Sequence, residues 1–435
     1  MMKEFNIKDF GARACDALQT EKIQSALDAC FLAGGGKVII PKGIFLTGGI
    51  RLRSNTTLYL ESGAILRGSR SHEDYAAYLK DEIEPVDLTL SHGMSSSVYP
   101  FSKWSNGLIK VLCAENVSII GEPGSFIDGV NCYDPEGEGN MRGPHAINMH
   151  HVKNLHLEGY TVVDSANWAH AIFYSENITA KNVTVYGGHD GFDFFACDNI
   201  LAEDCELRSG DDCIAGYDNK DVVIRNCIFD SACSAIRFGG TNVTFDNCQG
   251  IAPASYGFRG HLSTEDKSTG APTNEKCRHA MHTPFLYYCD FRLNGLRNPA
   301  GNIVVKNCRF ENPDSIFLHP FEKRWCSNRG LNSIVFENCE ILGLSLPGDL
   351  TADPNEPIDY RLKNVKISAR EDGAEFPILE ASNCKYIEFD NVTIEGFKDP
   401  HIVTDHADKI KITNSTNVKI IENTSTIKAG DLTQG

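Results

Sequence analysis

The sequence predicts an all-β fold, a parallel β-helix running as a single domain over residues 1–435 and capped near its N-terminus by one helix. Three observations carry that prediction. First, a short phrase of the form apolar-x-apolar-x-Asn/Asp-Cys keeps returning: NILAEDC at 199–205, DVVIRNC at 221–227, NVTFDNC at 242–248, NIVVKNC at 302–308 and SIVFENC at 333–339. Second, its period is nearly constant, with 22 residues from Cys205 to Cys227 and 21 from Cys227 to Cys248. Third, the phrase alternates apolar and polar positions and is rich in Val, Ile, Thr and Asn, which favours strands over helices. Variants with Val or Ser in the cysteine place extend the repeat, as NITAKNV (177–183), YIEFDNV (386–392) and KIKITNS (409–415). A repeat of this length is one turn of a solenoid, whose turns bury a common core only by stacking. Successive turns are expected about 4.8 Å apart.

Each element follows in chain order. The N-terminal cap covers about 1–50 and contains a helix at about 19–33, TEKIQSALDACFLAGGG. That helix opens with Thr20 as N-cap candidate, repeats apolar residues at helical spacing and stops at Gly34-Gly35-Gly36. It would cover the exposed strand edge of the first turn. The pattern breaks at about 70–105 and again at about 252–300, two insertions expected to wall a binding site. The polar tail after about 421 is expected to fray. The chain has 16 cysteines but no CxxC pair. Their fixed phase makes them small buried hydrophobes stacking from turn to turn rather than metal or redox ligands.

The composition excludes several classes. With 41% hydrophobic and 23% charged residues the chain is an ordinary globular protein. A net charge of −17, from 58 Asp+Glu against 41 Lys+Arg, argues against a nucleic-acid partner. A local basic cluster can still serve an anionic substrate. No run approaches the roughly 18 apolar residues of a membrane span, and the opening MMKEFNIKDFGA has no apolar leader core. A cytoplasmic chain without membrane association is therefore expected. The oligomeric state is open.

Two aspartate groups stand one repeat apart, Asp190-Gly191-Phe192-Asp193 and Gly210-Asp211-Asp212-Cys213. Asp190 to Asp212 is 22 residues, which puts the two in register on adjacent turns. Carboxylates crowded together repel and raise at least one pKa. That is the condition for a protonated general acid beside an ionised general base. A solvated acidic turn or a calcium site is the alternative reading of the same residues.

Together with the opening NIKDFGARACDALQTEKIQSALDAC and the segment SGDDCIA, these motifs resemble glycoside hydrolase family 28, the polygalacturonase-like family of right-handed β-helices. The resemblance runs over most of residues 4–265. It implies a right-handed solenoid and a hydrolase needing no cofactor or metal. It assigns Asp211 as general acid, with Asp190 and Asp212 activating the attacking water. The family's Asn-Thr-Asp motif is met by Gly188-His189-Asp190, which keeps only the aspartate, whereas its Asp-Asp motif is intact. The histidine of its Gly-His-Gly motif is replaced by Ser234. Its Arg-Ile-Lys motif becomes Arg259-Gly260-His261, so the arginine survives and the lysine does not.

Other candidates surround these. Arg259 and His261 are expected to contact substrate. Arg237, a charge inside an apolar phrase, either restores a carboxylate contact or serves as a structural ion-pair partner. His189 adjoins Asp190. Arg142 and His145 lie on an earlier turn beneath the site, where they would meet sugar hydroxyls. Trp168, about one turn before Asp190 and near His170, is either a sugar-stacking platform or a core residue. Cys277, His279, His282 and Cys289 have zinc-ligand chemistry but match no standard spacing, and a loop folded over the cleft is preferred. The reading is a hydrolase of a pectin-derived or related uronic-acid-containing oligosaccharide. Inversion is expected from the resemblance, although adjacent-turn spacing by itself suggests retention. Exo action is suggested by the two insertions. A β-helical lyase or epimerase and a non-catalytic carbohydrate-binding β-helix are the alternatives.

Overall fold

In the computed structural model, residues 2–75, 106–289, 298–321 and 327–422 are described. Most of the first expected insertion (76–105), a stretch of the second (290–297) and the tail from 423 lie outside them. Among the described residues the strands form sheets of 23 and 12 members, and the ladders between strands are parallel. The fold is a right-handed parallel β-helix. Register is kept from turn to turn: Ile147, His170, Phe192, Ile214, Ile236 and Phe285 align on one sheet. Val162, Val185, Leu207, Phe229 and Gly250 align on the other.

The repeated phrase explains the stacking. Cys205, Cys227, Cys248, Cys308 and Cys339 are buried free thiols that fill one phase of the core. The asparagines at the two ends of the phrase occupy left-handed backbone, as in Asn177, Asn199, Asn226 and Asn247 at φ of 57°, 57°, 57° and 53°. Asparagine tolerates this conformation better than other L-residues with a side chain. Their amides form two surface rows. Asn154 donates to Asn116, Asn177 to Asn154 and Asn199 to Asn177 at 2.9, 3.0 and 3.1 Å. In the second row Asn226 donates to Asp204 and Asn247 to Asn226 at 3.1 and 2.9 Å.

The capping helix spans Thr20–Leu32 and buries Ile23, Ala26, Leu27 and Cys30 on the first turns. Thr20 is its first helical residue rather than its N-cap. Its hydroxyl accepts from Gly48 N at 2.8 Å, while Gln19 occupies the cap position. The shortening of the repeat from 22 to 21 residues is taken up by a register shift between Gly216 and Asn219. Gly216 has φ of 125°, and a Cβ there would lie 1.7 Å from Phe194 O. The described part of the second insertion holds two short helices, Arg259–His261 and Thr264–Ser268, and the strand Thr283–Tyr287. Cys289 makes an isolated bridge to Ser327.

Candidate active site

Asp190 and Asp212 sit in register on adjacent turns: Gly191 N donates to Asp212 O at 3.0 Å, and Phe192 aligns with Ile214. Two serines fix the Gly-Asp-Asp turn. Ser209 Oγ accepts from Asp211 N at 3.1 Å and donates to His189 O at 2.6 Å, while Ser231 Oγ donates to Asp211 O at 2.8 Å. Gly210 is required by close approach, since a Cβ would meet Gly257 O at 2.2 Å.

Each carboxylate has a different environment. Asp211 Oδ2 accepts from Arg142 Nη2 at 3.0 Å. Asp212 Oδ1 accepts from Ser234 N at 3.0 Å, and its Oδ2 lies 3.5 Å from Arg237 Nη1. Asp190 Oδ1 is buried without a hydrogen-bond partner. Asp193 is 1% exposed and neither of its oxygens has one. Burial, reinforced by Asp211, Asp193 and Asp212, holds the Asp190 carboxyl well above the usual range. Burial and then Asp212 do the same to Asp193. Burial also raises Asp212, opposed by Arg237. Burial thus favours the protonated form at Asp190, Asp193 and Asp212.

Asp190, Asp211 and Asp212 line a cleft of about 640 Å³, together with Arg142, Trp168, Ser234 and Arg237 among the anticipated residues. Arg142 is turned onto Asp211, Glu138 and Asn167. Arg237 stacks over the Tyr288 ring at 3.7 Å. Trp168 also packs on Phe195, with ring centroids 5.6 Å apart. Ser234 aligns with Asp212 one turn on and is buried against that carboxylate. A second cavity of about 300 Å³, lined by His72, Asn106 and Asp134, shares Glu138 and Arg142 with the cleft.

Four anticipated residues lie elsewhere. His189 is buried, and burial and the charge of Arg142 hold its imidazole well below its usual pKa, hence neutral. His145 is buried 5.3 Å from the Trp168 ring and does not line the cleft. Arg259 is 3% exposed and clamps the loop backbone at Ala271 O and Lys267 O rather than lining the cleft. Burial lowers its pKa to about 10. His261 is exposed and accepts from Arg278 N at 3.2 Å. His170 is a core residue, bonded to Tyr160 at 2.9 Å and stacked on Phe192 at 4.1 Å.

Sequence reading missed Asp193, Cys233, Lys267 and Arg278. Asp193 had a signal: Ala171, Asp193, Ala215 and Arg237 share one register row, so Asp193 and Arg237 are two turns apart. Cys233 follows from Asp211 by the same 22-residue step. Lys267 and Arg278 come from the insertion, where no repeat applies. Among the described residues, Asp211, Asp212 and Cys233 form the one group with three potential metal-ligand atoms within 4.8 Å of one another. Both carboxylates there already face guanidinium groups. Cys277, His279, His282 and Cys289 form no such group. His279 spends both ring nitrogens on Ala254 O and Asn274 O, at 2.7 and 3.1 Å.

Residues 84–247 match the family described as Glycosyl hydrolases family 28, which bears out the resemblance carried by the aspartate motifs. The chain is 25% identical over 223 residues to a protein named "Probable polygalacturonase" from Vitis vinifera, covering 47% of this chain and 43% of that one. It is 25% identical over 252 residues to an "Exo-poly-alpha-D-galacturonosidase" from Dickeya chrysanthemi, covering 49% and 41%. It thus spans less than half the length of these curated relatives. The solved family 28 exopolygalacturonase of Yersinia enterocolitica superposes with a TM-score of 0.60 at 17% identity, over 95% of this chain and 78% of that one, a likeness of fold.

Proposed function

We propose that this chain is a glycoside hydrolase that cleaves an O-glycosidic bond in a pectin-derived, uronic-acid-containing oligosaccharide. One observation carries the reading: three aspartates from two adjacent turns converge on one cleft, where burial pushes the carboxyl pKa values of Asp190 and Asp212 upward. Glycoside hydrolysis needs one proton delivered to the leaving oxygen and one removed from water. Asp211 is assigned as the donor, and Asp190 with Asp212 as the pair that takes the proton from water. In this reading inversion results from direct attack by that water. The names of the curated relatives, a polygalacturonase and an exo-galacturonosidase, support a galacturonide substrate and attack from a chain end.

The test is product release from a panel of saturated and unsaturated galacturonides, rhamnogalacturonan fragments and neutral pectic side chains, with Asp211→Asn beside the wild type. Wild type should release reducing sugar, and the variant should be slower by about 10²–10⁴-fold, the usual share of acid/base catalysis. Proton NMR of the first-formed anomer reads inversion. A product absorbing in the ultraviolet would mean elimination, and binding without turnover would mean a carbohydrate-binding module. Either result refutes the hydrolase.

A further inference from the structure

We propose that Lys267 and Arg278 form the subsite that holds a carboxylate of the substrate; this deepens, and rests on, the hydrolase reading above. The charges lining the cleft carry the argument. Its acids are Glu138, Asp190, Asp211 and Asp212, and its bases are Arg142, Arg237, Lys267 and Arg278. The first two bases are spent internally. Arg142 faces Asp211 and Glu138 at 3.0 and 3.5 Å, and Arg237 faces Asp212 at 3.5 Å. Lys267 and Arg278 have no carboxylate partner among the described residues. Lys267 Nζ donates to Gly260 O at 2.8 Å, and Arg278 Nε donates to Ala232 O at 2.7 Å. Those carbonyls occupy one direction of each donor group. Two N–H bonds of the ammonium and the terminal side of the guanidinium fork remain for a ligand.

The two cations are held in place rather than loose on a surface. Arg259 clamps the carbonyls of Lys267 and Ala271, which sets the turn from which Lys267 projects. The short helix carrying Lys267 is capped by Ser263, which accepts from Asp266 N at 3.1 Å. The Arg278 guanidinium lies over the Phe258 ring, 4.8 Å from its centroid, and its backbone N–H is tied to His261. Phe258, Gly260, Lys267 and Arg278 all line the same cleft. A planar fork and a compact ammonium, both preset beside buried carboxylates, suit one planar anion on an otherwise neutral sugar. Uronate is that sugar. Arg259 and His261 then act as positioning residues for the pair that touches substrate.

The probes are trigalacturonate and the same trisaccharide with its carboxylates reduced to primary alcohols. Calorimetry on Asp211→Asn protein reads binding without turnover, with Lys267→Met and Arg278→Gln added singly. Each substitution should weaken trigalacturonate by about 10- to 100-fold, the scale of a hydrogen bond to a charged group, and leave the reduced trisaccharide within about twofold. Lys267→Arg should keep most of the affinity, which separates loss of charge from loss of fold. Equal losses on both probes, no loss on either, or failure of trigalacturonate to bind at all would overturn the subsite. Failure of the hydrolase reading looks different. Trigalacturonate would then bind in a Lys267-dependent way while wild type releases no reducing sugar from it.

Discussion

Arg142 Nη2 lies 3.0 Å from Asp211 Oδ2, joining residues 69 positions apart in the chain. The Arg142 and Asp211 side chains are 11% and 15% exposed, so the pair is shielded from solvent on both sides. The pair has a structural consequence beyond any contact with sugar. It fixes the direction of the one aspartate that the family likeness makes the acid, and it ties the turn before His145 to the Gly-Asp-Asp turn. Burial opposes the charge of Arg142, but Asp211, Glu138 and Asp190 more than offset it.

Arg142→Met should therefore be costly. Removing one partner of a buried ion pair strands the other, at about 3–5 kcal/mol. Urea denaturation of Arg142→Met and Arg142→Lys should show the larger loss in the first. A loss below about 1 kcal/mol for Arg142→Met would mean that the pair does not hold the turns together.

Asp193→Asn should stabilise the protein at neutral pH. The folded-state pKa of Asp193 lies above its unfolded value, chiefly through burial. Folding therefore takes up a proton as pH rises past the ordinary carboxylate value of about 3.9, and stability falls over that window. The amide carries no such penalty. A gain of roughly 1–3 kcal/mol in thermal or urea melts at pH 7, vanishing below about pH 4, is expected. A variant less stable than wild type at pH 7 would contradict this account.

Cys233 offers a probe of the same field. Burial, then Asp212 and Asp211, push its thiol pKa up, so disulfide reagents should modify it slowly at neutral pH. Asp212→Asn removes a negative neighbour, and the reaction at Cys233 should accelerate several-fold, located by mass spectrometry of the labelled peptide. No change in rate would mean that burial alone controls the thiol.

The asparagine rows make a fourth prediction. Asn226 combines left-handed backbone with side-chain bonds to Asp204 and Asn247. Asn226→Ala loses both features and should cost about 1–2 kcal/mol, whereas Asn226→Gly keeps the backbone and should cost less. The comparison of urea midpoints decides it. Equal costs would assign the whole effect to the hydrogen bonds.

Legibility followed the repeat. Wherever a residue is fixed by the 22-residue period, its neighbours could be read by adding or subtracting one turn, as with Asp190 and Asp212 or Asp212 and Ser234. Asp193 obeys the same arithmetic and shares its register row with Arg237 two turns on. Insertion residues follow no such rule. Arg259 and His261 were expected on the sugar, yet Arg259 holds the loop backbone, and Lys267 and Arg278 reach the cleft instead. Side-chain direction also escaped the sequence. Nothing in MRGPHAI distinguishes an arginine on sugar hydroxyls from one on Asp211.

The asparagine rows have a further consequence for how the chain finds its native state. A strand slipped by one residue exchanges its inward and outward faces, and short alternating phrases of near-identical composition invite such slips. Each asparagine amide in a row donates to the residue at its own phase on the preceding turn, as Asn199 does to Asn177 and Asn177 to Asn154. A slipped turn therefore forfeits its amide bonds in both rows and forces left-handed backbone onto residues with bulkier side chains. The rows therefore penalise a misaligned turn relative to the native register. Because Asp190 and Asp212 share that alignment, the same register sets the geometry of the cleft.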